Sequence, residues 1–464
     1  MKLCLTTRRS RAFVLVAVLV LVMLLSMLVI SLLFRFKAED TAASASVGTE
    51  QAWAAAMSGV EEALRVASTS LPGQIDWQHN PAAFQDRLVF EDGVDRWFFT
   101  VFSPGDDEVL GEFRHGLADE AAKLNLNAST ALDLGKLPRV TPAMAAALID
   151  FIDADSTPQP EGAEQEYYTA LPRPYAIRNG PLASLDELLL VRGFTSALVH
   201  GSAASRGSGT NESATGGGET RGERGLRQFL TIASYDLNVN DDGEPRMNFN
   251  DPAAPFPALE LPATLTNFIT VLQTNGLFLA HAAELLEAQL TVMDGKGAPV
   301  EVASGVGKAE LDLVLNHFTA SDDEVTDGLI NVNTASAAVL ATLPGMEESL
   351  AESIVSARRG ISPERRTSIA WLYQEGVLDA AKFKALAPYL TARSSQFTFQ
   401  VIGFGLPSGR YRVLEAAIDV AGGARRVTYL RDATRRGLPF PLGGEATGGA
   451  APSASRKAKE VRRG

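Results

Sequence analysis

The stretch Phe13-Val-Leu-Val-Ala-Val-Leu-Val-Leu-Val-Met-Leu-Leu-Ser-Met-Leu-Val-Ile-Ser-Leu-Leu-Phe34 decides the architecture of this chain. Its 22 residues include no charge. At about 1.5 Å per residue, a helix of this length reaches about 33 Å, enough to cross a hydrocarbon core of about 30 Å. Lys2, Arg8, Arg9 and Arg11 precede it, whereas Arg35 and Lys37 follow and are met at once by Glu39 and Asp40. This asymmetry of Lys and Arg predicts a single-pass membrane protein, spanning at 13–37, with its N-terminus in the cytoplasm. More than 400 residues then lie on the far side.

Three readings of the N-terminus fit these residues. Ala43-Ser-Ala45 resembles a signal-peptidase site, although the apolar run exceeds the usual core of a secretory signal, about 7–15 residues. A plain anchor is the second reading. The third is a prepilin-like leader, residues 1–12, cut between Ala12 and Phe13. Beyond the span, Ala38–Ser70 is rich in alanine and free of proline, and Trp53, Ala56, Met57, Val60, Ala63, Leu64 and Ala67 recur at helical steps. One long helix is expected, half in lipid and half packed on a domain, ending at Leu71-Pro72-Gly73.

The 464 residues carry a net charge of −13, and removing residues 1–12, with four bases and no acids, takes it to −17. This balance argues against a nucleic-acid partner, which calls for a basic face, and suits binding of divalent cations. Cys4 is the single cysteine, so no disulfide forms within the chain.

The order of patterns predicts an α+β fold interrupted by helical blocks. Residues 38–127 combine the helix with strands, residues 128–200 turn helical, and 201–225 form a Gly/Ser/Thr-rich linker. Residues 226–258 read as strands, at Phe229–Ala233 and Arg246–Phe249. Residues 259–393 form a second helical block, 394–434 return to strands, and 435–464 form a disordered tail.

Two phrases repeat. Leu137-Pro-Arg-Val140, Leu343-Pro-Gly-Met346 and Leu190-Val-Arg-Gly-Phe194 each join two helical segments, a helix-hairpin-helix pattern. Thr141 and Pro142 suit a cap and first position, and Ser184 with Glu187 reads as a capping box. Asn125-Leu-Asn127, Asn248-Phe-Asn250 and Asn331-Val-Asn333 place Asn around one apolar residue, with the second Asn expected to cap a helix. Such hairpins often hold DNA phosphates on backbone N–H groups, which makes a membrane-tethered DNA-uptake protein the alternative function. The best hairpin, however, continues into Glu347-Glu348, where a phosphate would approach.

The loop Asp150–Glu166 carries Asp150, Asp153, Asp155, Glu161, Glu164 and Glu166, with Pro158, Pro160 and Gly162 keeping it irregular. Its carboxylates suit calcium, which takes six to eight oxygens; a solvated loop is the other reading. Asp236-Leu-Asn-Val-Asn-Asp-Asp-Gly243 opens like an EF-hand but has Phe249 where the closing Glu belongs. Ser321-Asp-Asp-Glu324 reads as a solvated turn. The five histidines show no metal-ligand spacing, and no nucleophile or nucleotide motif appears, so no enzyme is expected.

Taken together, Asp119-Glu-Ala-Ala-Lys-Leu-Asn-Leu-Asn127, Ile152-Asp-Ala-Asp155, Gly162-Ala-Glu164, Tyr167-Tyr168, Pro174-Tyr175, Asn179-Gly-Pro181, Ser184–Gly193, Ile330–Ala335, Leu343-Pro-Gly345 and Leu386–Leu390 resemble the minor pseudopilin K family of type II secretion. The resemblance implies a long N-terminal helix on a pilin-like antiparallel sheet domain, with a large all-α insertion containing helix-hairpin-helix-like modules. It implies a non-enzymatic protein of the inner membrane, its bulk periplasmic, at the tip of the pseudopilus beside minor pseudopilins I and J. It also implies processing by prepilin peptidase at Ala12/Phe13, and calcium held by Asp153, Asp155 and Glu164, with Glu161 and Glu166 as further ligands. Two positions depart from the pilin pattern: Ala12 stands where glycine is usual, and the fifth residue after the cut is Ala17 rather than the glutamate of major pilins, as in the K family.

Overall fold

The computed structural model describes residues 11–105, 113–128, 134–201, 225–293 and 298–442. Of the expectations above, most of the leader, the linker at 202–224 and the tail at 443–464 lie outside the described residues.

Helix α1 runs unbroken from Arg11 to Thr69. It contains no proline, and it ends where Leu71-Pro72-Gly73 turns the chain, with Gly73 at φ +76°. Its two halves differ physically. Residues 14–47 are exposed throughout, and the apolar window within them is the one described segment long and apolar enough to cross a membrane. From Gly48 onward one face buries Ala52, Ala55, Ala56, Val60, Ala63, Leu64 and Ala67, at steps of three and four residues.

That face lies on an antiparallel sheet whose strands follow the order Arg87–Glu91, Arg96–Pro104, Gln396–Leu406, Tyr411–Asp419, Arg426–Asp432. The central strand thus comes from the far end of the chain, and Ala118–Asp119 adds to its start. Alternation sorts its side chains. Phe397, Phe399 and Val401 join Phe99, Val101, Leu414 and Ile418 under α1. Ile402 and Phe404 join Phe98, Phe102 and Val413 on the opposite face. Helix and sheet approach closely at Gly403, where a Cβ would meet the backbone of Ala52 and Ala56.

The opposite face is covered by residues expected to be an unpacked tail. Past Arg435 the chain continues across the sheet, and the Phe440 ring packs edge-on against Phe102, with centroids 5.0 Å apart, and against Phe113 at 5.7 Å. Two aromatic-rich sheet faces need two covers, and α1 supplies only one. Packing on this face therefore continues past Arg435 to Phe440 and Leu442.

The insertion consists of three tandem copies of one closed unit. Leu124–Asn125 pairs in parallel with Leu230–Thr231, Met247–Asn248 with Phe318–Thr319, and Ile330–Asn331 with Leu390–Thr391. In each, the first Asn accepts from the backbone N–H of the second, at 3.0, 3.0 and 2.9 Å. The second Asn then donates through Nδ2 to two distant carbonyls: Leu182 and Ile232, Leu279 and Ala320, Arg366 and Ala392. The closing Thr of each unit accepts from the N–H two residues on. The second Asn is therefore a cross-chain clamp and not the helix cap expected of it. The strand segments expected at 226–258, read as pilin-like or insertion strands, pair within these units or with Val325–Asp327.

Local details differ from expectation where a stronger partner is near. Thr141 caps Pro142–Ile152 as expected. Ser184 makes no side-chain cap bond, because the three-residue spacing opens a 3-10 helix, Leu185–Leu190, and Glu187 turns instead to a two-point pair with Arg178, 3.0 Å for each bond. The second unit also carries a ribbon, Gln289–Met293 with Pro299–Ala303, within the block read as helical. At the hairpins, Arg139 adopts φ +65° where Gly345 adopts +69°, so the first unit builds the same turn without glycine.

A candidate metal centre in the first unit

Three carboxylates converge where helix Pro142–Ile152 meets the acidic loop. Met144, Ala147, Leu148 and Phe151 define the buried face of that helix, and Asp150, three residues beyond Ala147, falls on it and is fully buried. Asp153 stands at its C-cap, and Glu164 at the N-cap of Gln165–Thr169. One oxygen of each residue lies within 4.8 Å of the others.

Their hydrogen bonding is incomplete. Asp150 Oδ1 accepts from Gln159 N at 2.9 Å, and Glu164 Oε2 from Gln165 N at 3.2 Å. Asp150 Oδ2, Asp153 Oδ1 and Glu164 Oε1 are buried with no partner. Burial, and then the neighbouring carboxylates, push the Asp153 carboxyl above the usual range; burial and the acids around it do the same to Glu164. Buried, unsatisfied, mutually repelling oxygens are costly unless a cation joins them. The donor set is all oxygen, which fits a hard cation such as calcium and not zinc.

Of the residues expected as ligands, Asp153 and Glu164 meet here. Asp155, Glu161 and Glu166 are exposed and stand outside the group. Asp155 Oδ1 accepts from Thr157 N at 2.7 Å, and its carbonyl accepts from Asn179 Nδ2 at 2.9 Å. Asp150 was absent from the expected ligand set. Its signal was an acid on the apolar face of a helix, a position that charge counting along the loop does not separate from its neighbours.

In the other acidic segments, oxygens accept from protein donors. Asn240 Oδ1 accepts from Asp242 N and Glu244 N, and Asp236 Oδ2 accepts from Thr391 Oγ1. In the 321–324 turn, Ser321 Oγ donates to Asp323 at 2.6 Å.

Residues 120–201, which contain all three carboxylates, match the family model for Type II secretion system (T2SS), protein K. Over this segment the chain is similar to the type II secretion protein K family. Residues 325–391, the third unit with its approach, match the helix-hairpin-helix motif. Over 55 residues the chain is 44% identical to the type II secretion system protein K of Pectobacterium carotovorum subsp. carotovorum, 12% of this chain. The match spans 17% of that protein K relative's length. The crystal structure of the GspK–GspI–GspJ complex from the enterotoxigenic Escherichia coli type 2 secretion system overlays at a TM-score of 0.35 and 12% identity, covering 86% of this chain and 99% of that one. So loose an overlay carries no argument about this chain. The hairpin of its third unit presents exposed Glu347 and Glu348 beside Gly345, so the motif does not favour a DNA ligand.

Proposed function

We propose that this chain is a minor pseudopilin at the tip of a type II secretion pseudopilus, with a structural role in assembly and no catalysis. The observation that carries the reading is the protein K match around the carboxylate cage, in a chain whose single helix α1 serves first as an exposed apolar span and then as the backing of a sheet. A helix built this way can leave the bilayer and pack among other helices without refolding.

In this reading prepilin peptidase cuts between Ala12 and Phe13, the N-terminus faces the cytoplasm from the inner membrane, and the bulk is periplasmic. The partners are minor pseudopilins of the I and J types. Ala17 spares the chain a carboxylate in lipid, which costs about 2.5–3.5 kcal/mol on insertion scales, and which nothing stacked above a tip subunit would relieve. Asp150, Asp153 and Glu164 would hold calcium, which fixes the acidic loop to the helix before it.

Mass spectrometry of the protein from cells with and without prepilin peptidase tests the leader: a shortened chain beginning at Phe13 is expected only with the peptidase, and Met1 retained in both refutes it. Co-purification of the full chain with I- and J-type subunits tests the partnership, and its failure at matched expression counts against a tip position.

A further inference from the structure

The cage is closed from outside by a segment that one arginine holds. Gly162 lies directly over Asp150, and a Cβ built on it would collide with Asp150 Oδ2, the oxygen that lacks a partner. Gly162 has no positive φ, so its lack of a side chain serves space and not backbone conformation. Glu161, beside it, does take a left-handed φ of +65°. The carbonyls of these two residues point away to Arg192, whose Nη1 donates to Gly162 O at 3.0 Å and Glu161 O at 3.4 Å. The same guanidinium stands 5.1 Å from the centre of the Tyr167 ring, and the Arg192 backbone N–H donates to the buried Tyr168 hydroxyl at 3.2 Å. Tyr168 packs edge-on against Phe151, next to Asp150 on its helix.

Arg192 therefore grips the closing segment from solvent, stacks on the residue after Glu166, and is tied by its backbone to the core under the cage. We infer that Arg192 is a positioning residue of the cation cage: it seats the Glu161–Glu164 segment so that Gly162 clears Asp150 and Glu164 reaches the shared cation. This inference rests on the cation reading above. Two charge-assisted bonds to carbonyls, on a loop whose acids repel one another, set the direction. Without them the segment lifts and Glu164 leaves.

The test uses the full chain in detergent, with terbium as the probe and its tyrosine-sensitised emission, displaced by calcium, as the readout. Arg192→Ala is expected to weaken terbium and calcium binding about tenfold or more, and Gly162→Ala to abolish it by displacing the Asp150 carboxylate. Arg192→Lys, which keeps the charge, is expected to recover part of the affinity, and Arg178→Ala, in the same unit but paired to Glu187, to bind as wild type. Melting of Arg192→Ala without metal separates positioning from simple destabilisation: the loss on mutation should be larger with saturating calcium than without. Wild-type binding with unchanged affinity in both Arg192→Ala and Gly162→Ala overturns the inference while leaving the cation reading intact, as does an equal melting loss with and without calcium. Absence of calcium-displaceable emission in the wild type overturns the cation reading itself.

Discussion

Thr334 Oγ1 donates to Asp119 Oδ2 at 2.6 Å, joining the sheet strand Ala118–Asp119 to the third unit across 215 residues of sequence. Ser394 Oγ donates to the same oxygen at 2.6 Å and Asn331 Nδ2 at 3.1 Å, while Ala121 N donates to Oδ1 at 2.9 Å. At Asp119 the sheet, the last Asn-x-Asn clamp and the segment returning to the sheet meet.

Removing it should loosen the two halves. Asp119→Ala leaves buried donors without an acceptor and is expected to cost about 3 kcal/mol in denaturant unfolding. Burial outweighs these donors and raises the Asp119 pKa to about 6. For a raised carboxyl pKa, the favourable contribution is complete below the unfolded value and is lost as pH rises through the folded one. Wild type should therefore lose stability relative to Asp119→Asn between about pH 4 and pH 6, by on the order of 3 kcal/mol. Parallel pH profiles for the two proteins would refute this.

The three clamps are not equally complete. Asn127 Oδ1 accepts from Leu182 N at 2.8 Å and Asn250 Oδ1 from Leu279 N at 3.3 Å. Asn333 Oδ1 has no partner, because Arg366 N turns instead to Pro363 O. Asn127→Ala should then cost about 1 kcal/mol more than Asn333→Ala, the worth of one net hydrogen bond. Equal losses in paired melts would contradict the comparison.

Phe440 tests the packing beyond Arg435. Phe440→Ala removes ring contacts to Phe102 and Phe113 and is expected to cost about 2 kcal/mol, below the value for a fully buried ring because Phe440 is half-buried. Limited proteolysis should then cut between Arg435 and residue 442 faster than in wild type, with α1 and the sheet still protected.

Calcium should reverse a pH trend. Without the ion, the raised pKa values of Asp153 and Glu164 favour the fold at acid pH, and that contribution is lost as pH rises through them. With the ion, the deprotonated carboxylates bind it, and stability should rise over the same interval. Thermal melts from pH 4 to 7 should show calcium raising the midpoint increasingly with pH, by several degrees at pH 7 for a binding contribution of about 2–3 kcal/mol. Asp150→Asn should abolish the gain, and a calcium shift that survives this change would remove Asp150 from the site.

Much of the architecture was legible from periodicity. The charge-free run, the small residues at steps of three and four through Ala67, and alternating strands such as Gln396–Leu406 depend on local geometry, and local geometry has a period that residues reveal. The Asn-x-Asn phrase was equally visible, but its role was not. Whether Asn127 caps the next helix or clamps Leu182 and Ile232 depends on carbonyls 55 and 105 residues away, which no local pattern specifies.

The same division runs through the candidate site. Sequence alone determined that a helix long and apolar enough to cross a membrane leads into an α+β chain with an acid-rich loop free of histidine and cysteine, because hydrophobic length, periodicity and ligand chemistry are properties of composition and spacing. Only the tertiary structure decided which acids meet. Burial of one helix face brings Asp150 beneath Gly162 and leaves Asp155, Glu161 and Glu166 in water, and it is desolvation and contact, not position along the chain, that gather carboxylates into one candidate site.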